Sequence, residues 1–333
     1  MDVPEYHLPE EAIAQVPVEP RDAARLLVAL GRQVEHAHVA DLPEFLGPGD
    51  LLVVNSSRVV PARLLLRKAT GGVAEVLLLE PRAQPPGTWE ALVRPGRRLA
   101  PGTVLFAGTG GPPLPVLEVG DRLPEGARLV RALVDDLNAF GQLALPPYIR
   151  TPLADETRYQ TVYADRAGSV AAPTAGLHLT EQVLGQCSLR GVAVAHLDLA
   201  VGVGTFRPIQ DDRVEGHTMH AERYAVPAST WAACQKAERV IAVGTTTVRA
   251  LESAAASGAL EGRTQLYIQP GHHFSVVDVL MTNFHQPRST LLVMLEAFVG
   301  PRWRELYQVA LDHGYRFLSF GDAMLVAQGG SSD

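Results

Sequence analysis

The chain has 333 residues, of which 47% are hydrophobic and 20% are charged, as is typical of a folded globular protein. Its length favours two domains. The formal net charge of −7 argues against binding nucleic acid through overall positive charge, although a local basic patch is compatible with it. No apolar run approaches the length of a membrane span and the N-terminus lacks a signal-peptide pattern, so we expect a cytoplasmic protein. Cys187 and Cys234 are far apart in sequence, which excludes a disulfide framework and a cysteine zinc site.

The first part of the chain contains one clear buried strand, at 51–54. From about 63 to 145, five short β-type runs are separated by Gly and Pro turns, which predicts a small antiparallel barrel or sandwich. These runs cover 73–79, 89–93, 102–106, 114–119 and 128–134. Residues 145–148 read Leu-Pro-Pro-Tyr and predict the linker that leaves this region.

Beyond residue 152 the pattern alternates between helices and strands, which predicts a sheet covered by helices. The predicted helices are 180–189, 229–238, 245–257, 290–298 and 302–312, and the predicted strands are 192–201, 240–243 and 264–268. Alternating aromatic residues at 315–320 predict a further strand with one aromatic face. Asp322 follows a glycine, so we expect its carboxylate on a turn from which it can reach a site.

Two glycine-containing segments follow predicted strands and indicate ligand sites. Gly244, Thr245 and Thr246 stand where a strand meets a helix, and the free N–H groups of a helix start attract a carboxylate or a phosphate. The alternative is a capped helix without a ligand. Residues 202–206 predict a loop that a ligand can approach closely, but they lack the third glycine and the helix of a dinucleotide site.

Imidazoles occur in two further segments. His217, His220 and Glu222 lie close in sequence at the start of a strand-like run. In a strand, positions 220 and 222 share a face while 217 faces the other side, so the spacing favours a proton-transfer pair over a metal cage. A zinc site and a solvated polar edge are the alternatives. His285 lies in a predicted polar loop, 282–290, which either carries function or caps the following helix.

Taken together, these segments resemble one family, the S-adenosylmethionine:tRNA ribosyltransferase-isomerases of queuosine biosynthesis. The resemblance runs through nearly the whole chain, and its specificity lies in the joint order of the motifs. The matching segments are 48–53 with Asn55, Arg58 and 61–63, then 145–149, 159–163, 173–178, 201–206, 219–222, 243–246, 282–285, 315–317 and 321–324. The resemblance implies a mixed α/β (α+β) main domain, 1–62 with 149–333, and an inserted small antiparallel β-barrel domain, 63–148.

Members of this family transfer the ribosyl part of S-adenosylmethionine to 7-aminomethyl-7-deazaguanine at the tRNA wobble position. The ribose rearranges to an epoxycyclopentane, which gives epoxyqueuosine-tRNA, while adenine and methionine are released. The resemblance implies that S-adenosylmethionine is consumed as a substrate, with no other cofactor and no metal. The expected partners are S-adenosylmethionine and a tRNA carrying the aminomethyl deazaguanine in its anticodon, and we expect a monomer that binds no membrane.

This reaction needs a base at the ribose carbon beside the sulfonium and a proton donor for the departing adenine. Imidazole titrates near working pH, so the histidines of the matching segments are the candidates for proton transfer. The two carboxylates are candidates to orient an imidazole or to face the sulfonium. The expected catalytic residues are His178, His220, Glu222, His285 and Asp322.

The resemblance also implies a set of binding residues. The threonines at 245 and 246 are expected to hold the methionine carboxylate, and Phe206 or Phe284 is expected to lie against the sulfonium. The expected substrate-binding residues are Thr174, Gly176, Gly202, Gly204, Thr205, Phe206, Gly244, Thr245, Thr246, Asn283 and Phe284. The residues expected to meet tRNA phosphates are Arg58, Arg63, Arg67, Lys68, Arg207 and Arg288.

One position departs from the family pattern in a way that bears on the chemistry. The family usually places a histidine just before Val-Gly-x-Gly-Thr, and this chain has Ala200 there. Either another histidine transfers the proton or the usual one only positions the substrate. His196 and Asp198 are nearby, but they occupy their own places on the predicted strand.

Two rival functions remain open at the level of sequence. A metal-dependent hydrolase would use His178, His217, His220 and Glu222, and stoichiometric zinc in the purified protein would favour it. A non-catalytic tRNA-binding module would bind tRNA without releasing adenine. The acidic net charge argues against such a module, because affinity for phosphates alone requires excess positive charge.

Overall fold

The computed structural model describes residues 2–82, 84–96, 99–108, 113–202, 209, 212–217 and 219–329, apart from the side chain of Glu125. The chain divides into two compact units. The main unit comprises Met1–Arg58 and Pro146–Asp333, and the barrel unit comprises Val59–Leu145. The borders expected from the sequence, 62/63 and 148/149, lie a few residues further along the chain at each crossing.

The described residues contain the following regular elements. The strands, in chain order, are β1 (Arg25–Ala29), β2 (Glu35–His38), β3 (Asp50–Asn55), β4 (Ser57–Val59), β5 (Arg63–Lys68), β6 (Val73–Pro81), β7 (Thr88–Arg94), β8 (Thr103–Ala107), β9 (Leu114–Arg122), β10 (Ala127–Ala132), β11 (Gly141–Gln142), β12 (Arg166–Ser169), β13 (Ala193–Leu199), β14 (Glu222–Ala225), β15 (Arg239–Val243), β16 (Glu261–Thr264), β17 (Val279–Asn283) and β18 (Ala323–Ala327). The α-helices are α1 (Glu181–Leu189), α2 (Ala228–Cys234), α3 (Thr245–Ser257), α4 (Thr290–Val299) and α5 (Trp303–Asp312). Two of the short 3-10 helices are Val39–Phe45 and Thr174–His178. Of the helices described, none is both long and apolar enough to cross a membrane.

The main unit is built on a nine-stranded sheet, within the described residues, in the order β16-β14-β13-β3-β15-β17-β18-β1-β2. At its centre β13, β3, β15 and β17 run parallel. Parallel strands are buried on both faces, which explains the unbroken apolar run at 51–54. Leu51 and Val53 pack in the core that contains α3, α4 and α5, whereas Leu52 and Val54 pack in the core that contains α1.

The barrel unit is a closed antiparallel barrel of six strands, β5-β6-β7-β10-β9-β8, in which β8 pairs back onto β5. Along β5 the side chains alternate: Leu64 and Leu66 are buried, while Leu65 and Arg67 are exposed. Closure leaves each of these six strands with a neighbour on both sides. Of the two architectures that the sequence allowed for this region, the barrel is correct.

Two predicted strands are wrong. The strand expected at 264–268 lies earlier, at β16, and ends at Thr264. The aromatic segment 315–320 forms no regular strand, because Leu318 adopts a left-handed φ of 70° and Gly321 folds against the carbonyl of Arg316. A Cβ atom at Gly321 would lie 2.4 Å from that carbonyl oxygen, so only glycine fits the turn. The strand begins after this turn, at β18.

Candidate active site

A cleft in the main unit lies where the central parallel strands end. Its lining residues are Ala172, Pro173, Thr174, Ala175, Val201, Gly244, Thr245, Thr246, Thr282, Asn283, His285 and Leu291, and it encloses about 350 Å³, open solvent included. In the sheet β3 lies between β13 and β15, so the chain adds later strands on both sides of β3. Ligands of open α/β sheets bind at the carboxyl ends of the strands where the order switches in this way. The fold therefore predicts a ligand in this cleft.

The start of α3 forms one wall of the cleft. Gly244 has a φ of 88°, a left-handed value that lets the chain turn directly from β15 into the helix. Thr245 and Thr246 occupy the first two helical positions, where backbone N–H groups have no acceptor within the helix. The side chain of Asn55 donates to the Thr246 hydroxyl at 3.2 Å. The hydroxyl of Thr245 lines the cleft and bonds to no other described residue, although Thr245 is only 6% exposed.

A chain of hydrogen bonds leads from the cleft into the core of the main unit. The hydroxyl of Thr174 donates to Oδ1 of Asn283 at 2.8 Å. The Nδ2 group of Asn283 lies 2.9 Å from Nε2 of His178 and 3.4 Å from the carbonyl oxygen of Asp322. Asn283 is the last residue of β17, so the sheet itself brings its amide to the cleft.

His178 is buried behind this chain and does not line the cleft. It borders a separate small recess together with Arg21 and Arg158. Burial, reinforced by the positive charges of Arg316, Arg158 and Arg21, lowers the pKa of His178 to about 3. The imidazole is therefore neutral at working pH.

His285 is the predicted proton-transfer residue that does line the cleft. Its Nε2 atom lies 3.0 Å from the hydroxyl of Thr282. Burial lowers the pKa of His285 to about 3. The backbone is held on both sides, because its N–H donates to the Tyr307 hydroxyl at 2.8 Å and its carbonyl accepts from the Tyr6 hydroxyl at 2.6 Å.

A second recess of about 320 Å³, open solvent included, adjoins the cleft and shares Thr174, Asn283, His285 and Leu291 with it. Tyr148 and Ser319 lie in its wall, with their oxygen atoms 2.7 Å apart. The sequence indicated only a linker at 145–148 and a core strand at 315–320, so reasoning from the sequence missed both residues. Tyr148 lies in one of the segments that resemble the family, 145–149, and Ser319 lies between two others, 315–317 and 321–324. This resemblance was the sequence signal that could have pointed to both residues.

Phe284 borders the second recess, but its ring is fully buried in an aromatic cluster. The ring lies 5.3 Å from Tyr307, 5.7 Å from Tyr315 and 4.7 Å from Phe317, measured between ring centroids. Core packing therefore accounts for this residue, and a place against the sulfonium has no support from its position. The other residue expected at the cation, Phe206, lies outside the described residues, as do Gly204, Thr205 and Arg207.

Glu222 is buried and engaged on both oxygens. Oε1 accepts the N–H of Gly202 at 2.8 Å, and Oε2 forms an ion pair with Arg249 of α3. The strand β14 begins only at Glu222, so the expectation that His220 and Glu222 share one face of a strand is wrong. His220 precedes the strand and is exposed. Glu222 therefore links α3 to the segment that follows β13.

Asp322 also has an engaged carboxylate. Its two oxygens accept the backbone N–H groups of Arg25, at 2.9 Å, and Arg316, at 2.8 Å, which closes the turn before β18. Only its backbone carbonyl meets the hydrogen-bond chain of the cleft, through Asn283. The expectation that this carboxylate reaches a ligand therefore has no support from its contacts.

Gly176 is required by packing. A Cβ atom there would lie 2.0 Å from the phenol oxygen of Tyr163, and the residue is buried in the 3-10 helix before α1. This contact explains the glycine without any ligand. Gly202 differs, because a Cβ atom there would be 3.5 Å from the Glu222 carboxylate, an ordinary contact.

The residues expected to meet tRNA divide between the two units. In the barrel unit Arg63, Arg67 and Lys68 lie on β5, where Arg63 pairs with Glu75 at 3.1 Å and Arg67 donates to a turn carbonyl. In the main unit Arg58 is exposed and donates to the carbonyl of Ala164 at 2.6 Å. Arg288 pairs with Asp212 at 3.2 Å and with Glu5 at 3.6 Å.

The donor set does not suit the rival metal site. Among the described residues, no three His, Cys, Asp or Glu side chains are grouped closely enough to hold a metal ion. Two of the proposed ligands are committed elsewhere: Nε2 of His178 bonds to Asn283, and both oxygens of Glu222 are engaged.

The family model described as "Queuosine biosynthesis protein" matches residues 2–326. The chain belongs to this family. It is 50% identical over 333 aligned residues to the S-adenosylmethionine:tRNA ribosyltransferase-isomerase of Rubrobacter xylanophilus, covering 98% of each chain. It is 52% identical to the protein of the same name from Thermus thermophilus, covering 97% of this chain and 98% of the relative.

A solved structure agrees with this membership. The crystal structure of the S-adenosylmethionine tRNA ribosyltransferase of Thermotoga maritima aligns with 97% of this chain and 99% of its own, at 36% identity and a TM-score of 0.54. The resemblance seen in the sequence is confirmed, and so is the fold class, a mixed helix-and-sheet main unit with an antiparallel β-barrel.

Proposed function

We propose that this chain is the S-adenosylmethionine:tRNA ribosyltransferase-isomerase of queuosine biosynthesis. It transfers the ribosyl moiety of S-adenosylmethionine to the aminomethyl deazaguanine at the tRNA wobble position and isomerises it. The products are epoxyqueuosine-tRNA, adenine and methionine. The observation that carries this proposal is the family match over residues 2–326, with relatives of that name about half identical over nearly their whole length.

The cleft is the proposed reaction site. Its described lining includes threonine hydroxyls, an amide and one imidazole, and no Asp, Glu, Lys or Arg. The partial positive charge at the start of α3 therefore acts there without a competing charge from the described lining. The two N–H groups of the first helical positions, with the Thr245 hydroxyl, which bonds to no other described residue, suit the methionine carboxylate.

Proton transfer in this reaction is assigned to imidazole. His285 is the strongest of the three candidates, because it is the one of the three that lies in the described lining. A neutral imidazole can accept the proton of the acidified ribose carbon, and the imidazolium formed in this way can then give that proton to the departing adenine. His220 remains a prediction, as an exposed imidazole two residues before Glu222.

The remaining assignments concern tRNA contacts, cofactor use, cellular location and oligomeric state. The basic residues of β5, with Arg58 and Arg288, are proposed to contact tRNA phosphates. S-adenosylmethionine is proposed to be consumed as a substrate, without another cofactor. We place the protein in the cytoplasm as a monomer, away from membranes. The two free, buried cysteines fit a reducing compartment, and a tRNA substrate is consistent with the same location.

The test mixes the purified protein with S-adenosylmethionine and an anticodon stem-loop that carries the aminomethyl deazaguanine. We expect adenine and methionine in equal amounts, together with a stem-loop whose mass has increased by the rearranged ribosyl group. A stem-loop with guanine at the wobble position is the control and should release no adenine. Binding without adenine release, or adenine release without a change in RNA mass, would refute the proposal.

A further inference from the structure

The orientation of the Asn283 amide is fixed by its neighbours. The carbonyl oxygen of Asp322, 3.4 Å away, can only accept a hydrogen bond, so the amide nitrogen must face it. The amide oxygen then faces Thr174, whose hydroxyl donates to it at 2.8 Å. The contact with Asp322 is lost if the amide is turned over, because the carbonyl would then meet an oxygen, whereas the Thr174 hydroxyl can bond to either end of the amide.

This orientation fixes the tautomer of His178. The amide nitrogen is only a donor, so the Nε2 atom 2.9 Å away must supply a lone pair. The ring proton then sits on Nδ1. Burial and the positive charges of Arg316, Arg158 and Arg21 oppose a second proton by lowering the pKa of the ring. A nitrogen whose lone pair is already used, in a ring among cations, is poorly placed to abstract a proton from a substrate.

The same chain sets the polarity of the cleft wall. The lone pair of His178 takes an amide hydrogen, and the amide oxygen takes the Thr174 hydrogen. The hydroxyl hydrogen of Thr174 thus points toward Asn283, and the lone pairs of the hydroxyl oxygen are available in the cleft. In this state Thr174 offers an acceptor, which suits a ligand ammonium or hydroxyl group.

We propose that His178 is a positioning residue, which holds Asn283 and through it makes Thr174 a hydrogen-bond acceptor for an ammonium or hydroxyl group of the substrate. The inference rests on the proposed function for its choice of substrate. It separates His178 from His285, which lines the cleft and remains the imidazole available to reacting atoms.

The decisive activity test compares His178→Ala with His178→Gln. Alanine removes the acceptor, and we expect kcat/KM for adenine release to fall about 10- to 100-fold, the usual cost of a misplaced group. The side-chain amide oxygen of glutamine reaches roughly the place of Nε2, so we expect His178→Gln to recover most of this loss, with a pH profile shaped like that of the unaltered protein. Glutamine cannot act as a base, so an equal loss of kcat/KM in both variants, or a limb of the pH profile that the unaltered protein shows and His178→Gln lacks, would overturn the inference.

Two further measurements keep the test decisive. His196 is an exposed imidazole on β13 whose ring packs against Tyr163, and His196→Ala controls for the loss of a histidine as such. If His178→Ala does not fold, the pair Thr174→Ser and Thr174→Val replaces it, because serine keeps the hydroxyl and valine only the shape. We expect serine to retain most activity and valine to raise KM, and equal activity of the two would contradict the inference.

A readout that needs no turnover distinguishes this inference from the proposed function. Nitrogen-15 NMR of the histidine rings, assigned with His178→Gln, reports which ring nitrogen carries the proton. We expect His178 to stay neutral with its proton on Nδ1 from about pH 5 to about pH 8, the range in which an ordinary histidine titrates. A proton on Nε2, or titration within that range, would overturn the inference even in an active enzyme. An inactive protein with the expected tautomer would instead refute the proposed function alone.

Discussion

In the cleft of the main unit the described polar side chains are uncharged, mostly buried and, apart from Thr245, hydrogen-bonded to neighbouring side chains, whereas on the outer face of β5 in the barrel unit they are charged and at least partly exposed. Removing the hydrogen-bond partner of a buried polar group costs much folding free energy, so the partner fixes the orientation of that group. An exposed charge is screened by salt and loses little. The cleft is therefore suited to orient a small substrate, and the face of β5 is suited to attract a polyanion.

The largest expected effect concerns the buried ion pair beside the cleft. Glu222→Ala leaves the Arg249 guanidinium, whose side chain is 4% exposed, without its carboxylate. We expect a loss of about 3–5 kcal/mol in the free energy of unfolding, measured by denaturant titration. Glu75→Ala breaks the exposed pair with Arg63 and should cost no more than about 1 kcal/mol. Equal losses at the two sites would abolish the contrast between the regions.

The second effect concerns substrate binding at the start of α3. Thr245→Val removes a hydroxyl that we assign to the methionine carboxylate, and a hydrogen bond to a charged group is worth about 1.5–3 kcal/mol. We expect the Kd for S-adenosylmethionine to rise about 10- to 100-fold, measured by calorimetry. Thr247→Val is the matched control, because that hydroxyl donates to the Val243 carbonyl at 2.7 Å inside the core. A similar Kd in both variants would remove the carboxylate from this helix start.

The third effect tests whether packing alone explains Gly176. Gly176→Ala forces a methyl group against the Tyr163 hydroxyl, and we expect it to destabilise the fold by about 1–3 kcal/mol. Adding Tyr163→Phe removes the clashing oxygen and should recover part of that loss. Gly96→Ala in the barrel unit, where no atom of the described residues beyond its chain neighbours lies within 4 Å of the new Cβ atom, should change stability by no more than about 0.5 kcal/mol. An unchanged stability in Gly176→Ala would show that packing does not require this glycine.

The smallest effect concerns the basic residues at the end of β5. Replacing Arg67 and Lys68 by alanine should weaken tRNA binding only a few-fold. It should also reduce the slope of log Kd against log salt concentration by the amount that about one or two phosphate contacts contribute. The affinity for S-adenosylmethionine should not change. Arg131 on β10, which pairs with Glu118, is the matched arginine of the same unit. Binding across a salt series measures both variants, and an equal salt dependence in each would remove β5 from the tRNA surface.

Local signals in the sequence predicted much of the fold. The cap of α1 at Thr180, whose hydroxyl accepts from the N–H of Val183 at 3.2 Å, and the start of α3 at Thr245 depend on neighbours within a few residues. The turn at 316–322 was not predicted, because it depends on how closely Gly321 approaches another part of the backbone. Alternating aromatics alone resemble a strand.

The site was predicted in part, for the same reason. The segments that line the cleft were found, because glycine, threonine and histidine are informative residue types. Their roles were not, because the bond between Asn283 and His178 joins positions 105 residues apart and exists only through the order of the sheet. The engaged carboxylates of Glu222 and Asp322 likewise depend on partners distant in sequence.

A crystal structure of the protein with S-adenosylmethionine, in the absence of tRNA, tests the central claim most directly. We predict that the ligand lies in the cleft at the ends of β13, β3, β15 and β17, with its carboxylate within hydrogen-bond distance of the N–H or hydroxyl group of Thr245. A ligand bound elsewhere, or one whose carboxylate faces away from the start of α3, would contradict the account.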